Sequence, residues 1–438
     1  MPRRNMQVML VVVVVSIACY RSAHSAYRAM IDTFASVMTE IDARYVEPVD
    51  DRELFEGAME GIVSKLDPYS AYVPPQDSQE FRQAIDQEFG GIGVEVEWDA
   101  TNKHLVVLSP MVDSPAYEAG ILAGDQIVSV DGEPLRATSL DQAVRELRGR
   151  AGELVRVGIR RAGHASDLEF ELRRAVIHVD SVLGDDRSAD GHWSFFVDPE
   201  RRIGYVRLTT FGKDSAEELK RALGWLRERG AQGLILDLRN NAGGLLPVAI
   251  DTCDLFLKEG RIVTIRGRDR RPMAEFDASG EAPYTDLPMV VLVNRFSASA
   301  SEIVAACLQD HGRATIIGER TWGKGTVQDV IDLEGGRSML KLTTAKYYRP
   351  SEKNIHRDQN AGEEAEWGVR PDDGGLIPLD DEAFRQVLKE RRRRDVTARS
   401  EWSAAGAGQL QRPNLSYDPQ LERAVEVLSD KLAAPKAA

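Results

Sequence analysis

The sequence predicts a multidomain α/β (α+β) protein with a helical leader, a β-rich insert and a larger unit built on a mixed sheet. Three observations carry this. From about Val176 to Asp373, apolar strand-like runs alternate with amphipathic helices. Two of these runs, Gly233–Leu238 (apolar but for Asp237) and Met289–Val293, are continuous, as in strands of a covered sheet. Between Phe89 and Ala175 short alternating strands and tight turns take over, and before them the apolar residues recur at helical spacing.

The 438 residues are enough for two or three domains, and the 42% apolar content is ordinary for a globular chain. A net charge of −14 argues against nucleic acid as the main partner. Cys19, Cys253 and Cys307 supply neither a metal spacing nor a disulfide framework. Cys253 and Cys307 lie among apolar neighbours on predicted helices and read as buried thiols. No metal and no cofactor is expected.

Residues 1–26 read as a signal peptide or N-terminal anchor. Arg3 and Arg4 precede an apolar run from Met6 to Tyr20, whose 15 residues fall short of a bilayer span. The run suits a secretory leader, with small residues following at Ser22, Ala23, Ser25 and Ala26. Ser16-Ile-Ala-Cys19 is a lipoprotein-type pattern without the usual leucine, and an uncleaved membrane anchor is the third reading. All three export the chain, so the expected location is periplasmic or membrane-associated on the extracytoplasmic side.

Residues 27–86 are expected to be helical. Ile31, Phe34, Val37, Met38 and Ile41 keep a 3.6-residue period until Tyr45-Val-Glu-Pro48 breaks it. A second helix, Asp51 to Leu66, stops at Asp67-Pro-Tyr-Ser70. Nothing here suggests chemistry. Packing or dimerisation is the expected role, and homo-oligomerisation is left open.

Residues 87–176 open on Phe89-Gly-Gly-Ile-Gly-Val-Glu-Val-Glu97, and Val106–Leu108 reads as another strand. Then Ser114 to Gly132 pairs a short helix with a strand and a tight Asp-Gly turn. Read alone, this is a β-rich domain whose Gly91 and Gly93 serve a turn. The whole segment resembles a PDZ domain. The resemblance implies binding of a chain terminus by strand addition. The loop Gly91-Ile92-Gly93-Val94 would present N–H groups to the terminal carboxylate, and a helix near Leu140 to Leu147 would form the other wall.

Residues 177–375 hold the chemistry. Ile203–Leu208 is a strand, Ser215–Arg229 an amphipathic helix, and Gly233–Leu238 a strand ending in Arg239-Asn-Asn-Ala-Gly-Gly244 before a helix from Leu245 to Leu257. A glycine turn at a helix N-terminus supplies free N–H donors. After Met289–Val293 comes a turn with Ser297, Ser299 and Ser301, then a helix with Ile303, Val304, Cys307 and Leu308 on one face. The strand Ala314–Ile317 leads into a glycine-rich loop around Lys324. A serine at a strand-to-helix turn and a lysine after the next strand are the parts of a serine nucleophile with a lysine base. Ser299 with Glu302 also fits a capping box, so a purely structural cap is the plain alternative.

Ser297-Ala-Ser-Ala-Ser-Glu302, with Gly-Lys324-Gly-Thr-Val-Gln328 after it, resembles the carboxyl-terminal processing peptidases (tail-specific proteases). In that family the middle serine is the nucleophile, a lysine 25 residues later is its base, and a glutamine four further on often orients the lysine. Here these are Ser299, Lys324 and Gln328. The resemblance implies a peptidase core like the ClpP/crotonase fold. It makes the N–H groups of Gly244 and Ala300 the oxyanion donors. Ala242 replaces the first of three glycines usual in that turn. The string Leu54 to Gly61 with Leu66-Asp-Pro-Tyr-Ser70 resembles the family's helical leader, and Ser338–Tyr348 and Gly368-Val-Arg-Pro-Asp372 resemble its later segments. Lysine, with a reference pKa of about 10.4, is almost fully protonated at neutral pH, so the reading requires burial of Lys324 to favour the neutral amine. Gly323 and Gly325 would help enclose it.

Gly318 to Lys324 imitates a phosphate-binding loop, but Gly325 replaces the Ser or Thr, and Thr326–Ile331 reads as strand. A Ser-His-Asp triad lacks its histidine: His311 sits where a helix ends, and His356 lies in the polar loop Glu352–Glu366, which has no expected role. In the tail, residues 376–438, Lys389–Arg394 reads as a solvated basic helix face and Ser403–Pro413 as a linker; Asp418-Pro419 starts a last helix with Leu421, Ala424, Val425 and Leu428 on one stripe.

The sequence thus predicts an exported serine endopeptidase acting on proteins or peptides with accessible C-termini. The rival, from another class, is a silent PDZ adaptor or chaperone on a peptidase scaffold.

Overall fold

The computed structural model describes residues 27–86, 88–135, 139–188, 192–358, 360–396 and 415–434. The expected leader and the Ser403–Pro413 linker lie outside these residues. Among the described residues no helix is long and apolar enough to cross a membrane. The chain divides into two compact units: Met1–Gln76 with Asp329–Leu342, and Asp77–Gln328 with Thr343–Ala438.

In the first unit, helix α1 (27–44) leaves Met30, Ile31, Phe34 and Val37 exposed. Helix α2 (Asp51–Val63) is capped by Asp50, whose side chain accepts the N–H groups of Arg52 and Glu53. Residues 67–70 end in a short strand rather than more helix: Ala71–Val73 pairs antiparallel with Met339–Lys341. Arg52 grips Glu334 at 2.6 and 2.9 Å and donates to Tyr72 Oη at 2.9 Å.

The second unit starts with helix α3 (Pro75–Asp86). The PDZ-like insert follows, entered and left through an antiparallel pair, Glu88–Gly91 with Ala175–His178. Its antiparallel sheet runs in the order Val94–Asp99, His104–Pro110, Gln126–Val130, Leu154–Arg160, Leu168–Arg173. Val94–Asp99 is therefore an edge strand. Helices α4 (Pro115–Ala119) and α5 (Leu140–Leu147) complete the insert, and Leu105, Ile121, Ile127, Val157 and Ile159 fill its core.

The larger sheet is mixed. Ile203–Leu208, Gly233–Asp237, Met289–Val293 and Thr315–Gly318 run parallel, and Val182–Leu183 and Phe196–Asp198 pair antiparallel with the first of them. Helices α6 (Ser215–Glu228), α7 (Leu246–Asp254) and α8 (Ala300–Asp310) pack on one face, where Leu219, Leu223, Ala249, Val304 and Leu308 meet Leu234, Leu236, Val291 and Val293. On the other face Ile235, Val290 and Leu292 meet Leu421, Ala424, Val425 and Leu428 of helix α10 (Pro419–Ala433). Burial on both faces explains the unbroken apolar strands. Each large aliphatic side chain here contributes about 1.5–3 kcal/mol of transfer free energy. Arg261–Arg266 pairs with Pro272–Asp277 and with the far end of the long strand Ser338–Tyr348.

Two expectations change. Lys389–Arg394, on helix α9 (Asp381–Asp395), is a solvated face only in part: Lys389, Arg392 and Arg393 are exposed, but Arg391 and Arg394 are 5% and 8% exposed. They grip the buried Asp185 at 2.8 and 2.6 Å, and this pairing admits them to the interior. The loop Glu352–Glu366 also has a place: residues 355–357 run against the Lys324 segment. A side chain at Gly325 would stand 2.2 Å from the His356 nitrogen, and one at Gly323 would stand 2.7 Å from Arg357 Cβ.

Candidate active site

Three turns meet at the carboxyl ends of adjacent parallel strands, where open α/β sheets place ligands. They are Leu238–Leu245 after Gly233–Asp237, Asn294–Ser299 after Met289–Val293, and Glu319–Gly325 after Thr315–Gly318.

The serine turn distinguishes its three hydroxyls. Ser297 Oγ donates to the Leu238 carbonyl at 2.8 Å and accepts the Asn294 N–H at 3.0 Å. Ser301 Oγ donates to the Asn241 carbonyl at 2.8 Å. Both serines are fully buried and tie this turn to the glycine turn. Ser299, 7% exposed, is the N-cap of α8 with φ 57° and ψ −115°. A positive φ at a serine costs about 1–2 kcal/mol and recurs at functional sites.

The glycine turn is held from within. Asn241 is fully buried; its amide donates to Leu208 O at 2.7 Å, and its Oδ1 accepts the Gly243 N–H at 2.8 Å. Its carbonyl accepts the Ala298 N–H at 3.0 Å. Gly243 lies so close that a Cβ there would stand 2.7 Å from Ser299 Cβ and 3.0 Å from the Ala300 nitrogen. The N–H of Leu245 and the carbonyl of Gly243 both bond Phe211. Among the described residues, the N–H groups of Gly244 and Ala300 donate to no protein group. The substitution at Ala242 leaves the turn's two required left-handed residues, Gly243 at φ 103° and Gly244 at φ 150°, as glycines.

The lysine segment joins the serine through Glu302. Glu302 is fully buried and accepts four hydrogen bonds. Oε1 takes Thr321 Oγ1 at 2.5 Å and the Gly323 N–H at 2.7 Å; Oε2 takes the Ser299 N–H at 2.9 Å and the Lys324 N–H at 2.8 Å. One carboxylate oxygen thus bridges the backbones of Ser299 and Lys324. Burial pushes this carboxyl up to about 7, against the pull of those four donors toward the ionised form. Lys324 is half-buried. Gln328, on the strand Thr326–Leu333, turns its amide nitrogen to Thr326 Oγ1 at 2.8 Å and Thr343 Oγ1 at 3.3 Å, which leaves its carbonyl oxygen as an acceptor.

Sequence reasoning named Glu302 only as a cap and missed Thr321 and Asn241. The Ser-x-x-Glu spacing was the signal for Glu302. It also missed the support beneath the glycine turn. There Arg239 is 7% exposed and holds Asp237 at 2.7 Å and Asp418 of the α10 N-cap at 2.8 Å, and Tyr205 Oη bonds Asp237 at 2.7 Å.

In the insert, the carbonyls of Ile92 and Gly93 face inward. They accept the Ala116 N–H at 2.9 Å and Ser114 Oγ at 2.9 Å. Ile92 is a core side chain, and a Cβ on Gly93 (φ 78°) would stand 2.2 Å from Ser114 Cβ. Val94 begins the edge strand, and α5 occupies the residues expected for the second wall. Away from the three turns, His178, Asp180 and Glu218 each bring one ligand-type atom within 4.8 Å of the others. Glu218 is already engaged there by His178 and Ser181, so the group reads as a hydrogen-bonded cluster.

A model for peptidase family S41 matches residues 202–373, one for the PDZ domain matches 106–161, and one for the N-terminal domain of the activating protease CtpB matches 16–76. The carboxy-terminal-processing protease of Bartonella bacilliformis is 39% identical over 326 residues, covering 74% of this chain and 71% of that protein. The chain belongs to the carboxy-terminal processing proteases. CtpB of Bacillus subtilis is 34% identical over 320 residues, covering 72% of this chain and 64% of that protein. A solved photosystem II D1 C-terminal processing protease is 31% identical, covers 82% of this chain and 90% of its own, and overlays with a TM-score of 0.45. As a family member this chain is a serine-type peptidase with a PDZ domain, and proteins or peptides are its substrates.

Proposed function

We propose that this C-terminal processing protease is an exported endopeptidase that selects substrates by their C-termini and cuts with a Ser299–Lys324 dyad. The carrying observation is the shared oxygen of Glu302, which holds the backbones of Ser299 and Lys324 at 2.9 and 2.8 Å. Neutral Lys324 takes the Ser299 Oγ proton as Oγ bonds the scissile carbonyl carbon. The N–H groups of Gly244 and Ala300 receive the oxyanion, a role that accords with their lack of protein acceptors. As the C–N bond breaks, Lys324 returns the proton to the leaving amine. Water then attacks the acyl-enzyme as Lys324 accepts its proton, the acyl C–Oγ bond breaks, and Lys324 passes the proton to Ser299 Oγ, which regenerates both and releases the carboxyl product. The Gln328 carbonyl orients the lysine amine. The substrate terminus adds to the edge strand Val94–Asp99, its carboxylate at the Gly91–Val94 loop. The leader, residues 1–26, takes the enzyme across the membrane.

The test is cleavage of one protein bearing an apolar C-terminus. Ser299→Ala and Lys324→Ala should each abolish cleavage with the fold retained, and amidating the substrate's terminus should slow the wild-type enzyme. Equal rates on free and amidated substrates would remove the PDZ role. Wild-type cleavage by Lys324→Ala would remove the dyad.

A further inference from the structure

The Lys324 segment is held on two sides, and the proposed chemistry accounts for only one. Glu302 is the first side. The second is the loop 352–368, fastened by Arg320. Every hydrogen bond of the Arg320 guanidinium goes to a backbone carbonyl of that loop. Nε meets Trp367 O at 3.1 Å, Nη1 meets Glu363 O at 2.6 Å, and Nη2 meets Ala365 O at 2.5 Å and Trp367 O at 2.8 Å. Its Cζ lies over the Trp367 ring, 3.4 Å from the centre, and Arg357 Cζ lies over the same ring at 4.3 Å. Trp367 is 6% exposed. The carboxylate nearest to Arg320 among the described residues is distant, Glu363 at 3.9 Å. Desolvation first, and then the charge of Arg370, brings Arg320 down to about 10, so it stays charged at neutral pH.

The fastened loop reaches the residues that flank the lysine. The Arg357 N–H donates to Gly323 O at 2.8 Å, and the Thr321 N–H donates to Val369 O at 3.1 Å. The Val369 N–H returns to Thr321 Oγ1 at 2.8 Å, the hydroxyl that also donates to Glu302. Trp367 and Arg357 occupy the space where a side chain at Gly323 would stand. Among the described residues, this loop makes no hydrogen bond to Ser299.

We propose that Arg320 and Trp367 are positioning residues for the catalytic lysine, with the loop 352–368 as the brace that sets where Lys324 stands relative to Ser299. This rests on the reading of Lys324 as the base. A brace acts on the rate of the chemical step and leaves substrate binding alone. The experiment measures kcat and KM per active site, with active sites counted by fluorophosphonate titration so that unfolded enzyme drops out.

Arg320→Ala and Trp367→Ala should each lower kcat by about 10–100-fold, the scale of a small misplacement of a reacting group. KM should stay within about two-fold. Arg320→Lys should not rescue, because an ammonium has neither the fork nor the plane. Trp367→Phe, which keeps a flat ring for the guanidiniums to meet, should restore most of kcat. The proposal is overturned by wild-type kcat per titrated site in both alanine variants, by full rescue with Arg320→Lys, or by a rise in KM at unchanged kcat. Lys324→Ala run alongside separates the two claims. If it is active, the dyad fails; if it is dead beside a fully active Arg320→Ala, only the brace fails.

Discussion

Glu302→Gln separates the site's geometry from the stability of the fold. The carboxylate accepts four donors, two on each oxygen. Glutamine keeps one oxygen and turns an amide N–H pair toward two of those donors. Leaving two buried donors without an acceptor costs about 1–3 kcal/mol each. Against this, the substitution removes a buried charge. Raising that carboxyl from 4.5 to about 7 corresponds to roughly 3 kcal/mol of ionisation penalty at neutral pH. The net runs from about 1 kcal/mol of gain to about 3 kcal/mol of loss, so global stability should move by no more than about 3 kcal/mol. The bridge between Ser299 and Lys324 has no such offset, and kcat should fall about 100-fold. The assay pairs urea denaturation with kcat on one peptide substrate. A glutamine variant with wild-type kcat would refute the reasoning, as would one that loses only stability.

The same group predicts opposite pH trends for stability and activity. Its folded pKa is raised, so its contribution to stability is fully present below about 4.5 and is lost as pH rises through about 7. Activity needs the ionised, four-fold acceptor. On acidification from 7 to 5, kcat should drop while this group favours the folded state, and Glu302→Gln should show a shallower acid limb.

Gly243→Ala would place a methyl 2.7 Å from Ser299 Cβ at φ 103°, so kcat should fall by at least about 100-fold, the cost of a spoiled oxyanion donor. Gly230→Ala, at φ 73° with open space around it, is the control; it should lose about 1 kcal/mol and no activity. An active Gly243→Ala enzyme would contradict the packing of the two turns. Asp418→Asn removes one of the two carboxylates that neutralise the buried Arg239, and denaturation should show a loss of about 3–5 kcal/mol. A loss below about 1 kcal/mol would mean that this ion cluster does not hold α10.

Much of this was legible because it is local. Met289–Val293 and Gly233–Leu236 announced themselves as continuous apolar runs, and the structure buries every one of their residues. His311 ends α8 and Asp418 with Pro419 starts α10, as their cap chemistry requires. The rest is long-range. Arg391 and Arg394 looked solvated because their partner, Asp185, is more than 200 residues away in sequence. The loop 352–366 looked idle because its contacts are backbone hydrogen bonds and glycine spaces, which composition does not record. Glu302 was visible as half of a capping box, but three of its four donors come from a segment about 20 residues further on.

The most direct measurement is the rate at which a fluorophosphonate phosphonylates Ser299, with loss of fluoride, in wild type and in Lys324→Ala, followed across pH. A lysine base predicts a wild-type rate that falls on acidification. It also predicts a variant slower by about 100–10,000-fold, with little pH dependence left. Equal rates in the two proteins would show that the Ser299 proton goes elsewhere.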